Sequence, residues 1–410
     1  MSHIAESLLD IDFYKLTMGQ FAFKRHPNVP VKYAFTNRTK KVRIADFVEE
    51  KILRKELDHA RTLRFTEKEV QYLGTIKKYG ERIFPTDFLS FLKDLELPNY
   101  FLEKREGTYI LEFSGSWSKS IYWETLALSI INELYYRSLM KNLGAGEHKK
   151  IYAEGKNRLA KKIKIIRTRP KLNFVEFGTR RRFSRDWQRS VIETLVNEIP
   201  NQVVGTSNVW AAMAYGREPV GTMAHEVYMI MSGIMSNSEK SIRLSQNILL
   251  EDWWEEYGEK LSIALTDTFG TDFFFKDMTE DQARKWRGLR QDSGDPVKFG
   301  NKAIVFYQRY GIDPRNKLVF FSDGLSVDLM VKIYDHFSCR IKTLYGWGTN
   351  LTNDLEFEPL SLVVKAVEAN GHGLVKLSDN LAKASGNPQD IERFKRIFGY
   401  HVRYSEDCKY

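Results

Sequence analysis

Residues 171–182 read KLNFVEFGTRRR: an apolar run rich in β-formers that ends abruptly in glycine and cations. The same pattern recurs six times. QVV precedes GTSN (205–208), EPV precedes GTMAHE (221–226), and LSIAL runs into LTDTFG (265–270). WRG precedes LRQDSGD (289–295), KLVFF runs into FSDG (321–324), and IKTLY runs into YGWGT (345–349). Most of the intervals between tip and next run are long enough for a helix. Strand, polar tip and helix in repetition predict an α/β barrel or a related parallel sheet. Chemistry in such barrels gathers at the C-terminal ends of the strands, so the tips predict one reactive rim.

Working outward, residues 1–125 lack this rhythm. Helical patches (IADFVEEKILRKELDHARTL, TEKEVQYLGTI) mix there with strands (VPVKYAFTNR, GTYILEFSGSW), which predicts a separate N-terminal α/β domain. WETLALSIINELYYRSLM (123–140) is apolar at helical spacing and links it to a barrel domain over 126–366. The tail 367–410 is expected to pack back on the N-terminal unit.

The chain has 410 residues, 42% hydrophobic and 28% charged, as an ordinary globular protein has. No apolar run approaches the ~20 residues of a membrane span, and the N-terminus has no signal-peptide pattern. Two cysteines, Cys339 and Cys408, give neither a disulfide framework nor zinc spacing and fit a reducing cytoplasm. The net charge of +10 favours polyanionic or phosphorylated partners. It is densest over 149–171, where the absence of interleaved aromatics argues for a solvated helix face rather than nucleic-acid binding.

Several rim residues suit particular chemistry. His225 follows a strand end, where a histidine serves as nucleophile or base near neutral pH; a hydrogen-bonded structural histidine is the competing reading. HEVYM is not the HExxH metalloprotease motif. In GLRQDSGDP (288–296), Asp292 and Asp295 can share a divalent cation or accept from sugar hydroxyls, and Arg290 can clamp a carboxylate. The spelling SGDP equally fits a turn with an N-cap. The glycine tips SDG and GWGT suit phosphate, whereas Rossmann and P-loop signatures are absent. Arg180, Arg181 and Arg182 cannot all face one way. Cations, acids and glycines on one rim suit a phosphorylated sugar and a small co-substrate.

DIDFYKLTMGQ (10–20), YAFTNR (33–38), EFGTRRR (176–182), GTSNVWAA (205–212), GTMAHE, LRQDSGDP, SDGL (322–325) and GWGTNLTND (346–354) together resemble the nicotinate phosphoribosyltransferase family, in order and across nearly the whole chain. The resemblance implies an incomplete seven-strand α/β barrel with an N-terminal α/β domain. It implies synthesis of nicotinate mononucleotide and diphosphate from nicotinate and phosphoribosyl diphosphate, coupled to ATP hydrolysis, with Mg²⁺. Carried over by position, His225 is the histidine that ATP phosphorylates. Asp292, Ser293 and Asp295 lie near ribose and metal, and Arg290 near the pyridine ring. Asp323 and Gly324 form the ribose and phosphate tip; Gly346, Gly348 and Thr349 form the 5′-phosphate loop. Tyr14 stacks on the pyridine, in relatives from a neighbouring subunit, and Phe177, before Gly178–Thr179, stacks from the other side. Arg38, Arg180 and Arg181 are candidates for the diphosphate, and Thr206 and Ser207 for nicotinate. A homodimer with shared sites is implied.

Nicotinamide and quinolinate phosphoribosyltransferases are the alternatives within this chemistry. Ser207 and Asn208 in GTSN favour a carboxylate-bearing ring over an amide. A Schiff-base lyase would need a buried rim lysine, for which Lys365 is the nearest candidate. An RNA-binding protein would use 149–171.

Overall fold

The computed structural model describes residues 3–406. Seven parallel strands form one sheet in the order Glu218–Pro219, Val203–Thr206, Phe174–Glu176, Lys342–Trp347, Leu318–Phe321, Gly288–Gln291 and Ile263–Leu265. Each expected run supplies one of them. The two end strands do not pair, so the sheet curls into a half-barrel; across the seam the Thr222 hydroxyl donates to the Ile263 carbonyl at 3.0 Å. Burial on both faces explains why the strands read as short apolar runs without alternation.

Three strands run further along the chain than their apolar runs suggest, among them Val203–Thr206, which takes in Gly205 and Thr206. Gly288–Gln291 takes in residues that read as tip, including buried Arg290. A Cβ at Gly288 would sit 2.2 Å from the Leu318 carbonyl oxygen, so this position accepts only glycine beside the neighbouring strand. Lys342–Trp347 likewise runs through Gly346.

The N-terminal domain is a five-stranded antiparallel sheet, in the order His372–Gly373, Leu362–Ala369, Pro30–Asn37, Thr108–Ser116 and Tyr100–Arg105. Leu362–Ala369 runs across the expected boundary at 366 to pair with Pro30–Asn37. Helix Pro388–Phe398, in contrast, stacks Phe398 on Phe269 of the LTDTFG tip with ring centres 4.1 Å apart. Residues 367–410 therefore divide between the two units rather than packing on the first alone. Helix Trp123–Met140 is buried from Trp123 through Tyr136, as an all-round apolar helix between two units must be. The basic helix Ala145–Arg167 pairs Arg158 and Lys162 with Asp354, and Arg167 with Glu198, so part of its charge is met within the fold. Among the described residues no helix is long and apolar enough to cross a membrane.

Candidate active site

A cavity of about 160 Å³ opens at the C-terminal ends of the central strands, between the barrel and Leu362–Ala369 of the other sheet. Seven cationic side chains line it (Arg38, Arg180, Arg181, Arg290, Lys365, Lys376 and Lys383) against two carboxylates, Asp292 and Asp323. His225, Phe177, Gly324, Gly346, Gly348 and Thr349 complete the wall with other residues of the same tips. Gly324 has φ +55°, and a Cβ at Gly346 would press on Phe320 and Ser322 at 3.0 and 3.2 Å. Backbone therefore approaches the cavity closely at these two tips.

His225 opens helix His225–Ile234. Its Nδ1 lies 2.9 Å from the Thr268 hydroxyl, and its Nε2 lies 2.9 Å from Asp292 Oδ2 and 2.8 Å from Lys376 Nζ. Burial, with Lys376 second, pushes its pKa down to about 4 against the opposing pull of Asp267 and Asp292. The ring is therefore neutral at pH 7. Nε2 sits between the Asp292 carboxylate and the Lys376 ammonium, and the Thr268 hydroxyl, able to donate or accept, meets Nδ1 in either tautomer. Burial would raise Asp292, but Arg290 and other nearby cations outweigh it and hold that carboxyl well below the usual range.

Arg290 is held from three directions. Nε donates to Ser322 Oγ at 2.8 Å, Nη1 to the Met223 carbonyl at 3.1 Å and Nη2 to Asp292 Oδ1 at 3.1 Å. Its guanidinium carbon lies over the Phe177 ring, 5.7 Å from the ring centre, so a cation and an aromatic face meet at this wall. Asp323 pairs with Lys383, which also donates to the Asp292 carbonyl at 2.8 Å.

Six expected residues do not line the cavity: Tyr14, Thr179, Thr206, Ser207, Ser293 and Asp295. Thr179 is buried, with its hydroxyl accepting from Gln188 at 3.1 Å and from Asn208 at 3.3 Å. Thr206 donates to Glu176 at 2.5 Å, and Ser207 donates to Asp12 at 2.6 Å. Asn208 donates to Asp10 and caps helix Val209–Tyr215. The GTSN tip thus grips the N-terminal segment, and its side chains cannot select between an acid and an amide. Ser293 donates to Asp267 at 2.5 Å, behind the cavity. Tyr14 is 1% exposed, bonded to Asp12 at 2.9 Å, with its own chain's Arg180 5.8 Å from the ring centre. Of the three arginines, Arg180 and Arg181 face the cavity, while Arg182 turns inward to Asp10 with two bonds of 2.7 Å.

The pairing of Asp292 with Asp295 around a metal does not form. Exposed Asp295 caps helix Pro296–Arg309, accepting from Lys298 N at 2.7 Å, and faces a second cavity, as the N-cap spelling of SGDP allows. Asp292 is instead grouped with Asp267 and His225, whose ligand atoms all lie within 4.8 Å of one another. Asp267 Oδ1 is buried and has no hydrogen-bond partner.

Asp267, Thr268, Lys376 and Lys383 carry much of this geometry and went unassigned in the sequence. The first two sit in LTDTFG, where tip position was itself the available signal. Lys376 and Lys383 lie beyond the last barrel strand, in a segment with no strand–tip rhythm to mark it.

Comparison with known proteins agrees with this architecture. Residues 172–401 match the model of the nicotinate phosphoribosyltransferase (NAPRTase) family, and residues 9–132 match that of the NAPRTase N-terminal domain. The nicotinate phosphoribosyltransferase of Vibrio cholerae is 34% identical, with a TM-score of 0.85 over 98% of this chain and 95% of that one. That of Porphyromonas gingivalis is 29% identical, with a TM-score of 0.87 over 97% of this chain and 100% of that one.

Proposed function

The chain belongs to the nicotinate phosphoribosyltransferase family, and on that premise we propose that it joins nicotinate to phosphoribosyl diphosphate, coupled to ATP hydrolysis through phosphorylation of His225. The reaction is the first step of NAD salvage from nicotinate, carried out in the cytoplasm. The observation that carries this reading is the cavity itself: seven cations against two carboxylates, beside a neutral histidine. Nicotinate, the sugar diphosphate and ATP are all anions. The surplus of cations favours nicotinate over the uncharged amide, although Ser207 and Asn208 are committed elsewhere.

Departure of diphosphate from C1 of the ribose leaves an oxocarbenium-like centre and builds charge on the leaving group. Arg180, Arg181 and the lysines face that charge, and such fixed countercharges stabilise a transition state without reorganising. Phe177 and Arg290 offer the pyridine a flat face and a cation. Asp323 and the glycine tip receive the ribose. The ring nitrogen is its own nucleophile and needs no protein base. His225 Nε2, flanked by Lys376 and Asp292, is instead suited to take a phosphoryl group, whose ~−1.5 to −2 charges the lysine would meet.

The donor set fits Mg²⁺, a hard cation that takes carboxylate oxygens along with substrate phosphates. Asp267, with its unpartnered Oδ1, and Asp292 would hold it, where it would neutralise diphosphate charge. We retain the homodimer with shared sites that the resemblance implies.

The test is incubation with phosphoribosyl diphosphate, Mg²⁺ and nicotinate or nicotinamide, with and without ATP, and product identification by mass spectrometry. Nicotinate mononucleotide formed faster with ATP, alongside ADP, is the expected result. Product from nicotinamide alone, or from neither ring, would overturn the reading.

A further inference from the structure

We propose that Lys15, which does not line this cavity, is a positioning residue that holds Arg180 at the cavity wall through Glu124. Lys15 is 0% exposed on helix Phe13–Arg25. Its Nζ lies 2.5 Å from Glu124 Oε2 and also pairs with Glu226 Oε2. The other oxygen of each carboxylate has a different partner. Glu226 Oε1 accepts from Tyr33 at 2.7 Å and Trp117 at 3.1 Å, and Glu124 Oε1 accepts from Arg180 Nη1 at 3.0 Å. A continuous buried relay therefore runs from the residue after His225 to Arg180: Glu226, Lys15, Glu124, Arg180.

Burial alone would strip Lys15 of its proton, but the two carboxylates outweigh it and keep the ammonium charged. Net stability is a poor reason for such a chain, since buried ion pairs repay little more than their desolvation. Geometry is a better one. Both carboxylates contact the same nitrogen, so without that cation they repel each other in a low dielectric. Glu124, the member that grips Arg180, then shifts and takes the guanidinium with it. The other neighbours of Arg180 hold it less closely: Asp12 lies 3.6 Å from its Nε and the Tyr14 ring centre 5.8 Å from its guanidinium carbon.

The inference rests on the reading that the cavity takes a diphosphate-bearing substrate, and the test separates the two. Calorimetric binding of inorganic diphosphate to the full chain is measured for wild type, Lys15→Met, Glu124→Gln, Arg180→Ala and Lys15→Met with Arg180→Ala. Each single variant should bind about tenfold more weakly, the size of one charge-assisted hydrogen bond. Adding Lys15→Met to Arg180→Ala should weaken binding no further, because the lysine acts through the arginine. Unchanged affinity in the folded single variants, or an equal further loss in the Arg180→Ala background, would overturn the proposal. Should Lys15→Met not fold, Glu124→Gln, which keeps its shape, decides alone by the same criterion, with and without Arg180→Ala. A wild type that binds no diphosphate would overturn the functional reading instead.

Discussion

Two polar clusters sit at the same end of the barrel and differ in the balance of charge. Around Glu176, Thr206, Ser207, Asn208 and Arg182, the N-terminal segment supplies Asp10 and Asp12, and side chains of the two stretches bond to each other. Arg182 and Asp10 are matched one to one and buried. Around His225, Arg290 and Asp292, cations outnumber acids and a cavity lies between them. The first cluster is a clasp that locks DIDFYK to the barrel. The second leaves charge for a ligand to satisfy. Functional polar groups differ from structural ones less in residue type than in whether the chain itself answers them.

The sharpest break between the two should come from His225→Ala. We expect ATP stimulation to vanish while slow ATP-independent turnover persists, because the nucleophilic ring nitrogen of the substrate needs no protein base. Initial rates with and without ATP decide this. Loss of both rates would mean that His225 takes part in the ribosyl transfer itself.

In the clasp the corresponding change should act on stability. Arg182→Met leaves Asp10 buried without its cation and should destabilise the fold by about 3–5 kcal/mol. Urea unfolding measures it, and Asp10→Leu in the same chain should recover most of the loss by removing the stranded charge. A variant that unfolds like wild type would mean that the clasp is not what joins the two segments.

The pH response sharpens the contrast further. The His225 pKa is about 4 in the folded chain, against an ordinary value of 6.5. Above pH 6.5 the ring is neutral in both states and its contribution to stability is fully present. As pH falls from about 6.5 towards about 4, the unfolded chain binds a proton that the folded one refuses, and stability drops by about 3 kcal/mol. His225→Asn should lack that part of the acid slope. ATP stimulation, in turn, should stay flat from pH 8 to 5.5, since the nucleophile remains unprotonated. A fall centred near 6.5 would place the ring in contact with solvent.

The strands were legible because a parallel sheet buried on both faces writes itself as short apolar runs. The rim was legible because tips must be polar or glycine. The side-chain directions were not. Thr206 and Ser207 look as available as Gly346 and Thr349, but Thr206 turns to Glu176 on the adjacent strand, and the arrival of Asp12 from the far N-terminus assigns Ser207 to the clasp. Asp295 has the right type for a metal ligand, yet it lies at a helix start, where its carboxylate meets backbone N–H. Lys376 and Lys383 reach the cavity from the tail, a long-range placement that no local pattern encodes.

The smallest effect is the most specific test of that distinction. Ser207→Ala removes one of the hydrogen bonds to Asp12, which keeps Tyr14 at 2.9 Å and Thr125 at 3.3 Å. A buried hydroxyl given up by a carboxylate that retains other donors should cost about 1–2 kcal/mol. The KM for nicotinate should not move, because Ser207 is 0% exposed and faces Asp12 rather than the cavity. Steady-state kinetics at fixed phosphoribosyl diphosphate, with an unfolding curve on the same preparation, separates the two. A higher KM at unchanged stability would make Ser207 a ligand contact and would show that the clasp opens when substrate binds. Lower stability at unchanged KM would confirm that two adjacent tips of one barrel divide the work, one holding the chain and one holding the substrate.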